Sequence, residues 1–139
     1  MIKKKYGQHF LINREICKKI TEKLTFKRYN EFFSIPIQSS NVKTAWLAFP
    51  ILIKEGAPFS RKTFQIYLEE RNIQTRVVFT GNILRQPMTK TIDKRITKEG
   101  LSNSDAIMKR GVLLPLHHGM TNQMFDRLYS VINDFLNNL

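Results

Sequence analysis

An apolar run, WLAFPILI at residues 46–53, sets the first limit on the fold. It consists of aromatic, branched and other apolar residues, and it is far shorter than the roughly 18 apolar residues of a membrane span. We therefore predict a β-strand, in which Pro50 marks a sheet edge or a bulge. The Gly56-Ala57-Pro58 segment then turns the chain.

A helix and a second strand follow this turn. Ser60 has the side chain of a helix N-cap, and the helix is predicted to run to about Arg71. Asn72 is suited to the left-handed residue that ends it. IQTRVVF at 73–79 has the composition of a strand. The helix residues predicted to face inward are Phe64, Tyr67 and Leu68.

The remainder of the chain contains shorter elements. The Gly-, Asn- and Pro-containing segment 80–87 is predicted to be a loop, and 88–101 a loose connection. Ser104 is predicted to cap a short helix, which is followed by a third strand at 112–116, and Thr121 is predicted to cap a C-terminal helix. The inward face of that last helix is predicted to comprise Met124, Leu128, Val131, Ile132 and Phe135.

These elements predict an α+β fold with a small, mostly antiparallel sheet and helices on one side. Residues from Phe26 to Phe33 are predicted to be helical, before Pro36 ends the helix. Further upstream, Asn13 is predicted to cap an amphipathic helix in an N-terminal arm. The predicted division is therefore an arm at 1–24 and one domain at 25–139.

Positive charge is concentrated in the N-terminal arm. The chain carries 23 Lys and Arg against 11 Asp and Glu, and nine of these basic residues but only two of the acidic ones lie within residues 1–28. Clustered cations favour weak, sequence-independent binding of RNA. The absence of a secretory segment or a long apolar run predicts a cytoplasmic protein without membrane contact. The single cysteine, Cys17, excludes an intramolecular disulfide.

Few residues suggest chemistry by pattern alone. Arg76, Asn82 and Arg85 lie on or beside a Gly-containing loop that follows a strand, an arrangement suited to holding an anion or a sugar. An equally good interpretation is that the two arginines are merely solvated and that the asparagine only forms the turn. His117 and His118 lack further metal ligands at suitable spacing, so we expect no metal site and predict that they bond a loop or line a cleft.

Six blocks resemble, in order, the C-terminal portion of a known family. The blocks are WLAFPI at 46–51, APFSR at 57–61, LEERNIQTR at 68–76, FTGNILRQP at 79–87, NSDAIM at 103–108 and LPLHHGMT at 114–121. They resemble the pyridoxal-phosphate-dependent sugar aminotransferases of the DegT/DnrJ/StrS group, and within it the nucleotide-sugar 3-dehydrases. This resemblance implies the small C-terminal domain of a fold-type-I aminotransferase.

The resemblance also implies that the large and small domains have different roles. In the family, the groups that bind pyridoxal phosphate belong to the large domain, so we expect no catalytic residue here and no activity of this chain alone. The small domain would provide the wall of a nucleotide-sugar site, with Asn82, Arg85, His117 and His118 as the expected contacts. A separate large domain or a homodimer partner would complete the enzyme, which would serve lipopolysaccharide-type biosynthesis.

A second, shorter resemblance concerns the arm. KKKYGQHFLINREICKKI at 3–20 resembles the start of the ribosomal RNA adenine dimethyltransferases, which implies contacts from His9 and Leu11 to S-adenosylmethionine. We therefore interpret the chain as a chimera or a truncated reading frame. The alternatives are a fragment of an S-adenosylmethionine-dependent RNA methyltransferase and a non-catalytic binding module.

Overall fold

The structure is a computed structural model, and it describes residues 27–37, 40–41, 47–98, 100–117 and 119–139. The arm at 1–24, with its predicted helix and with His9 and Leu11, lies outside the described residues. The division of the chain at residue 24 therefore stays a prediction.

Within the described ranges, four short strands form one antiparallel sheet. The strands are β1 (Phe33–Ser34), β2 (Phe49–Ile53), β3 (Arg76–Val77) and β4 (Gly111–Leu114), in the spatial order β1-β2-β4-β3. The helices are α1 (Lys27–Phe32), α2 (Arg61–Glu69), α3 (Ser102–Arg110) and α4 (Asn122–Asn137). The predicted α+β class and antiparallel sheet are confirmed.

One face of the sheet forms the core. Along β2 the side chains alternate, so that Phe49, Ile51 and Ile53 are buried while the residues between them are only half-buried. Aromatic rings from the helices pack over this face: the Phe64 ring of α2 lies 5.3 Å from that of Phe33 and 5.1 Å from that of Phe135 in α4. The buried face of β2, where every second residue points inward, and the apolar faces of α2 and α4 thus form one core.

Two strand boundaries differ from the sequence prediction. Within the described residues, β2 begins at Phe49 rather than at Trp46, and Leu47 is 78% exposed. The predicted third strand is shifted, because it begins at Gly111 and ends at Leu114, before Pro115, which has no N–H to donate to a neighbouring strand.

The strand predicted at 73–79 pairs only at Arg76–Val77. Before it, the backbone N–H and hydroxyl of Thr75 donate to Glu69 Oε1 at 3.4 and 2.8 Å, so this residue bonds to α2 instead of to a strand. After it, Phe79 has a φ of 47°, which no extended strand allows. The residues at both ends of the predicted strand therefore do not pair with β4, because one end bonds to α2 and the other enters a turn.

Three of the predicted helix ends are confirmed. Ser60 Oγ accepts from Thr63 N at 3.1 Å, and Thr121 Oγ1 accepts from Met124 N at 3.3 Å, so both residues cap their helices. Asn72 has the expected left-handed backbone, with a φ of 60°.

Two other helix predictions are wrong. The helix α3 begins at Ser102, so Ser104 lies inside it and caps nothing, and the N-cap Leu101 makes no side-chain bond. Met124 is 49% exposed, whereas its four predicted companions in α4 are buried. In the first turn of α4 it is Phe125, not Met124, that faces the core, with 3% of the residue exposed. No helix in the described part of the chain is long and apolar enough to cross a membrane.

Candidate functional site

The loop between β3 and α3 begins with a tight turn. Gly81 N donates to Val78 O at 3.1 Å, and Phe79 occupies the first central position of this turn. Gly81 itself has a φ of 65°, and a Cβ atom there would lie 2.4 Å from Met108 Cβ. Only glycine allows the loop to approach α3 this closely.

Asn82 organises the next part of the loop from a buried position. Only 2% of the residue is exposed. Its Oδ1 accepts from Leu84 N at 3.0 Å, which starts a 3-10 turn at Ile83–Arg85. Its Nδ2 donates to Asp105 Oδ1 at 2.8 Å. Both ends of the amide are therefore bonded within the chain, and Asn82 joins the loop to α3.

Arg85 meets the same carboxylate. Its Nε donates to Asp105 Oδ1 at 3.0 Å and its Nη2 to Oδ2 at 2.8 Å, which is the paired geometry that guanidinium and carboxylate groups favour. These bonds from Arg85, followed by the bond from Asn82, lower the pKa of Asp105 to about 2. The same hydrogen bonds, which Arg85 donates to Asp105, raise the pKa of Arg85. The pair is thus fully ionised at neutral pH.

Arg85 keeps part of its donor capacity. A guanidinium has five N–H donors, and Asp105 takes two of them, so three are left by this ion pair. The side chain is 63% exposed, against 39% for Asp105. Arg85 is therefore held in a fixed plane by a carboxylate while its outer edge faces solvent, where it can bind an anion such as phosphate.

The helix that carries Asp105 is itself anchored. Arg61 Nη1 donates to Met108 O at 2.6 Å, and Arg110 Nη1 donates to Ile53 O at 3.0 Å. These bonds tie α3 to α2 and to the end of β2. The carboxylate therefore has a fixed position against which the loop is held.

Sequence reasoning placed Asn82 and Arg85 near each other but did not identify Asp105. A signal was present, because Asp105 is the only carboxylate between Glu99 and Asp126 and lies within the NSDAIM block. A lone acidic residue close to a loop that contains an arginine is a candidate for an ion pair. Arg76 lies on the edge strand β3 and is exposed.

The histidine pair lies before α4. His117 is exposed, its Nδ1 accepts from Gly119 N at 3.1 Å, and its carbonyl accepts from Met120 N at 3.1 Å. These bonds form a local turn that leads to the Thr121 cap. His118 lies outside the described residues. Among those that are described, no group of three His, Cys, Asp or Glu side chains could hold a metal ion.

The described residues do not fit pyridoxal phosphate. The cofactor needs a lysine or equivalent at its aldehyde and a carboxylate at its ring nitrogen. The lysines whose side chains are described are all exposed: Lys54, Lys62, Lys90, Lys94, Lys98 and Lys109. Of the described carboxylates, only Asp105 is not exposed, and Arg85 and Asn82 already occupy it.

Solved structures resemble this fold over most of the described chain. The Escherichia coli GDP-4-keto-6-deoxy-D-mannose-3-dehydratase with bound hydrated PLP matches with a TM-score of 0.74 at 21% identity, over 86% of this chain and 30% of that one. A GDP-4-keto-6-deoxymannose-3-dehydratase (ColD) with bound GDP-perosamine gives a TM-score of 0.75 at 20% identity, over 87% and 30%. At these identities the likeness establishes the fold.

Relatives by sequence are longer proteins. The lipopolysaccharide biosynthesis protein RfbH of Salmonella typhimurium is 31% identical over 105 residues, which cover 76% of this chain and 24% of that protein. The dTDP-4-dehydro-2,6-dideoxy-D-glucose 3-dehydratase of Saccharopolyspora spinosa is 34% identical over 102 residues, which cover 73% and 22%. The matched region spans less than a quarter of either relative. Residues 8–133 match the DegT/DnrJ/EryC1/StrS aminotransferase family, and the chain therefore belongs to that family.

Proposed function

We propose that this chain forms the substrate-side part of a pyridoxal-phosphate-dependent enzyme that acts on a nucleotide-linked keto sugar. The observation that carries the proposal is the family match over residues 8–133. The similar proteins named above include 3-dehydratases of GDP- and dTDP-linked sugars and a lipopolysaccharide biosynthesis protein. We extend this substrate class, a sugar carried on a nucleoside diphosphate, to the present chain.

The geometry of Arg85 supports this assignment. A nucleotide sugar carries its negative charge on a diphosphate, and a guanidinium held in one plane binds phosphate oxygens through parallel N–H bonds. Asp105 fixes that plane, and Asn82 fixes the loop that carries it. We assign Arg85 to the diphosphate and Asn82 to positioning of the loop through its amide. Contacts from His117 and His118 to the sugar remain part of the proposal.

The residues that bind the cofactor would belong to another domain. When bound, pyridoxal phosphate supplies an electron sink for bond cleavage at the sugar or amino substrate. The described residues offer no buried lysine or free buried carboxylate for it. We therefore propose that a separate large domain provides these groups, and that the chain by itself catalyses neither transamination nor dehydration.

Two measurements test the proposal. The purified chain with pyridoxal phosphate, glutamate and a 4-keto sugar nucleotide should turn over no faster than the free cofactor. Addition of the part of the Salmonella relative that lies outside the matched region should produce turnover. Titration calorimetry should detect binding of GDP-linked sugar to the chain, weakened in Arg85→Ala and unchanged in the exposed control Lys109→Ala. Turnover by the chain alone, lost in Arg85→Ala, would identify a complete enzyme. Unchanged binding by Arg85→Ala would remove Arg85 from the site.

A further inference from the structure

Phe79 combines an unfavourable backbone with an exposed side chain. Its φ is 47°, at the first central position of the turn that Gly81 N closes on Val78 O. Glycine normally takes such a position, because a Cβ atom disfavours positive φ. Among the few non-glycine residues with this backbone, Asn and Asp are several-fold enriched, so a bulky aromatic residue here is an outlier.

Burial within the described residues does not compensate for this conformation. The Phe79 residue is 77% exposed, and its apolar neighbours Val77 and Ile83 are 47% and 49% exposed. The ring therefore gains little from the hydrophobic effect within the described part of the chain. Strained residues persist where the surrounding structure holds them and are concentrated at functional sites.

The surrounding loop makes contacts at both of its ends. Gly81 packs directly against Met108, and Gln86 Nε2 donates to Thr80 O at 2.9 Å, which closes the loop across its neck. Phe79 comes directly before Thr80, and Arg85 comes directly before Gln86, so both flank the bond that closes the loop. One closed loop therefore carries an exposed aromatic ring at its start and a fixed guanidinium at its end.

This pairing has the chemistry of a nucleotide site. Nucleobases stack on exposed aromatic side chains irrespective of base identity, because every base has a π face. Phosphates bind the planar fork of arginine. We propose that Phe79 is the platform on which the base of the nucleotide stacks, while Arg85 binds the diphosphate. This inference rests on the proposed function, to which it adds a base-binding residue.

The test compares two probes, GDP and inorganic pyrophosphate, by titration calorimetry on the full 139-residue chain and its variants. Phe79→Leu keeps an apolar side chain but has no π face, and Phe79→Tyr keeps the ring. Phe79→Leu should bind GDP about tenfold more weakly, since stacking contributes on that order. Phe79→Tyr should stay within about twofold, and neither change should alter pyrophosphate binding, because stacking requires a base.

A third variant separates binding from folding. Phe79→Gly removes the backbone strain and the ring together, so it should raise the melting temperature while weakening GDP binding. If Phe79→Leu binds GDP as tightly as the native chain, the stacking role is wrong. Equal affinities of the native chain for GDP and pyrophosphate would also contradict the stacking role, because the base would then add nothing to binding. Failure of the native chain to bind either a GDP-linked or a dTDP-linked sugar would overturn the proposed function as well.

Discussion

Arg85 and Asp105 form a two-bond ion pair across twenty residues of sequence, with Nε donating to Oδ1 at 3.0 Å and Nη2 to Oδ2 at 2.8 Å. Asn82 adds a third bond to the same carboxylate at 2.8 Å. Three of the carboxylate's interactions therefore come from one loop. The loop conformation and the ionisation of Asp105 are linked, which makes the pair testable by pH.

The Asp105→Asn variant should melt at a lower temperature than the native chain at neutral pH. The folded pKa of Asp105 lies at about 2, below the usual 3.8, so its contribution to stability is present above about pH 4. It is lost as the pH falls from that value towards 2. Melting curves at pH 6, 4, 3 and 2 should therefore show the difference closing.

The control for this measurement is the Arg85→Ala background. Without the guanidinium, Asp105 has lost its principal partner, so Asp105→Asn should change the melting temperature less at neutral pH. A difference that stays constant from pH 6 to pH 2, or that is the same in both backgrounds, would contradict the assignment of the pKa shift to this pair.

Gly81→Ala should destabilise the chain more than Gly56→Ala. Both glycines have positive φ, 65° and 86°, so both substitutions incur backbone strain of about 1–2 kcal/mol. Only at Gly81 would the new Cβ meet Met108, at 2.4 Å, whereas no atom lies within 4 Å at Gly56. The close contact should add about 1–3 kcal/mol in urea unfolding. Equal losses of unfolding free energy in the two variants would show that Met108 moves aside without destabilising the chain.

Tyr29 should make folding sensitive to alkaline pH. Its hydroxyl donates to Asn133 Oδ1 at 2.7 Å, which joins α1 to α4, and burial raises its pKa to about 12. The neutral form is favoured in the fold, so stability is present below about pH 10 and is lost as the pH rises towards 12. Tyr29→Phe should cost about 1 kcal/mol at pH 7. It should also flatten the decline above pH 10; an identical decline in the variant would contradict this role.

The sequence was most informative where structure is local. Ser60, Asn72 and Thr121 act through bonds or backbone angles within a few residues, and each has the predicted position. The strand β1 was not predicted, because Phe33 and Ser34 become a strand only by pairing with Ile53 and Leu52, far along the chain. Nothing in the local sequence encodes that partner.

The same distinction holds for the candidate site. A loop rich in Gly, Asn and Pro suggested Asn82 and Arg85, but the carboxylate that joins them comes from another element. The backbone of Phe79 could not be predicted either, because its residue type argues against positive φ. Local propensity fails here because the loop is held against α3 by contacts with Met108 and Asp105, which lie twenty or more residues along the chain from the residues they contact.

Serine-to-alanine substitutions test the corrected start of α3. Ser60→Ala should destabilise the chain by about 1 kcal/mol, because Thr63 N loses its capping partner. Ser104→Ala should be neutral or slightly stabilising, since alanine has the higher helix propensity inside α3. Thermal or urea unfolding measures both. A loss at Ser104 as large as that at Ser60 would restore Ser104 as a cap.

The arm provides the last prediction, which concerns RNA. Residues 1–28 carry nine basic and two acidic side chains, and such a cluster binds phosphate by releasing counterions, irrespective of base sequence. The full chain should therefore bind unrelated single-stranded RNAs with similar, weak affinity that falls steeply with salt. Deleting residues 1–24 removes seven of the nine basic side chains and should abolish this binding. Replacing those seven with glutamine in the full chain is the matched control, because it keeps the length. Binding that survives in either variant would place the RNA contact in residues 25–139 instead. Binding that persists at several hundred millimolar salt, where such charges are screened within a few ångströms, would contradict a purely electrostatic contact.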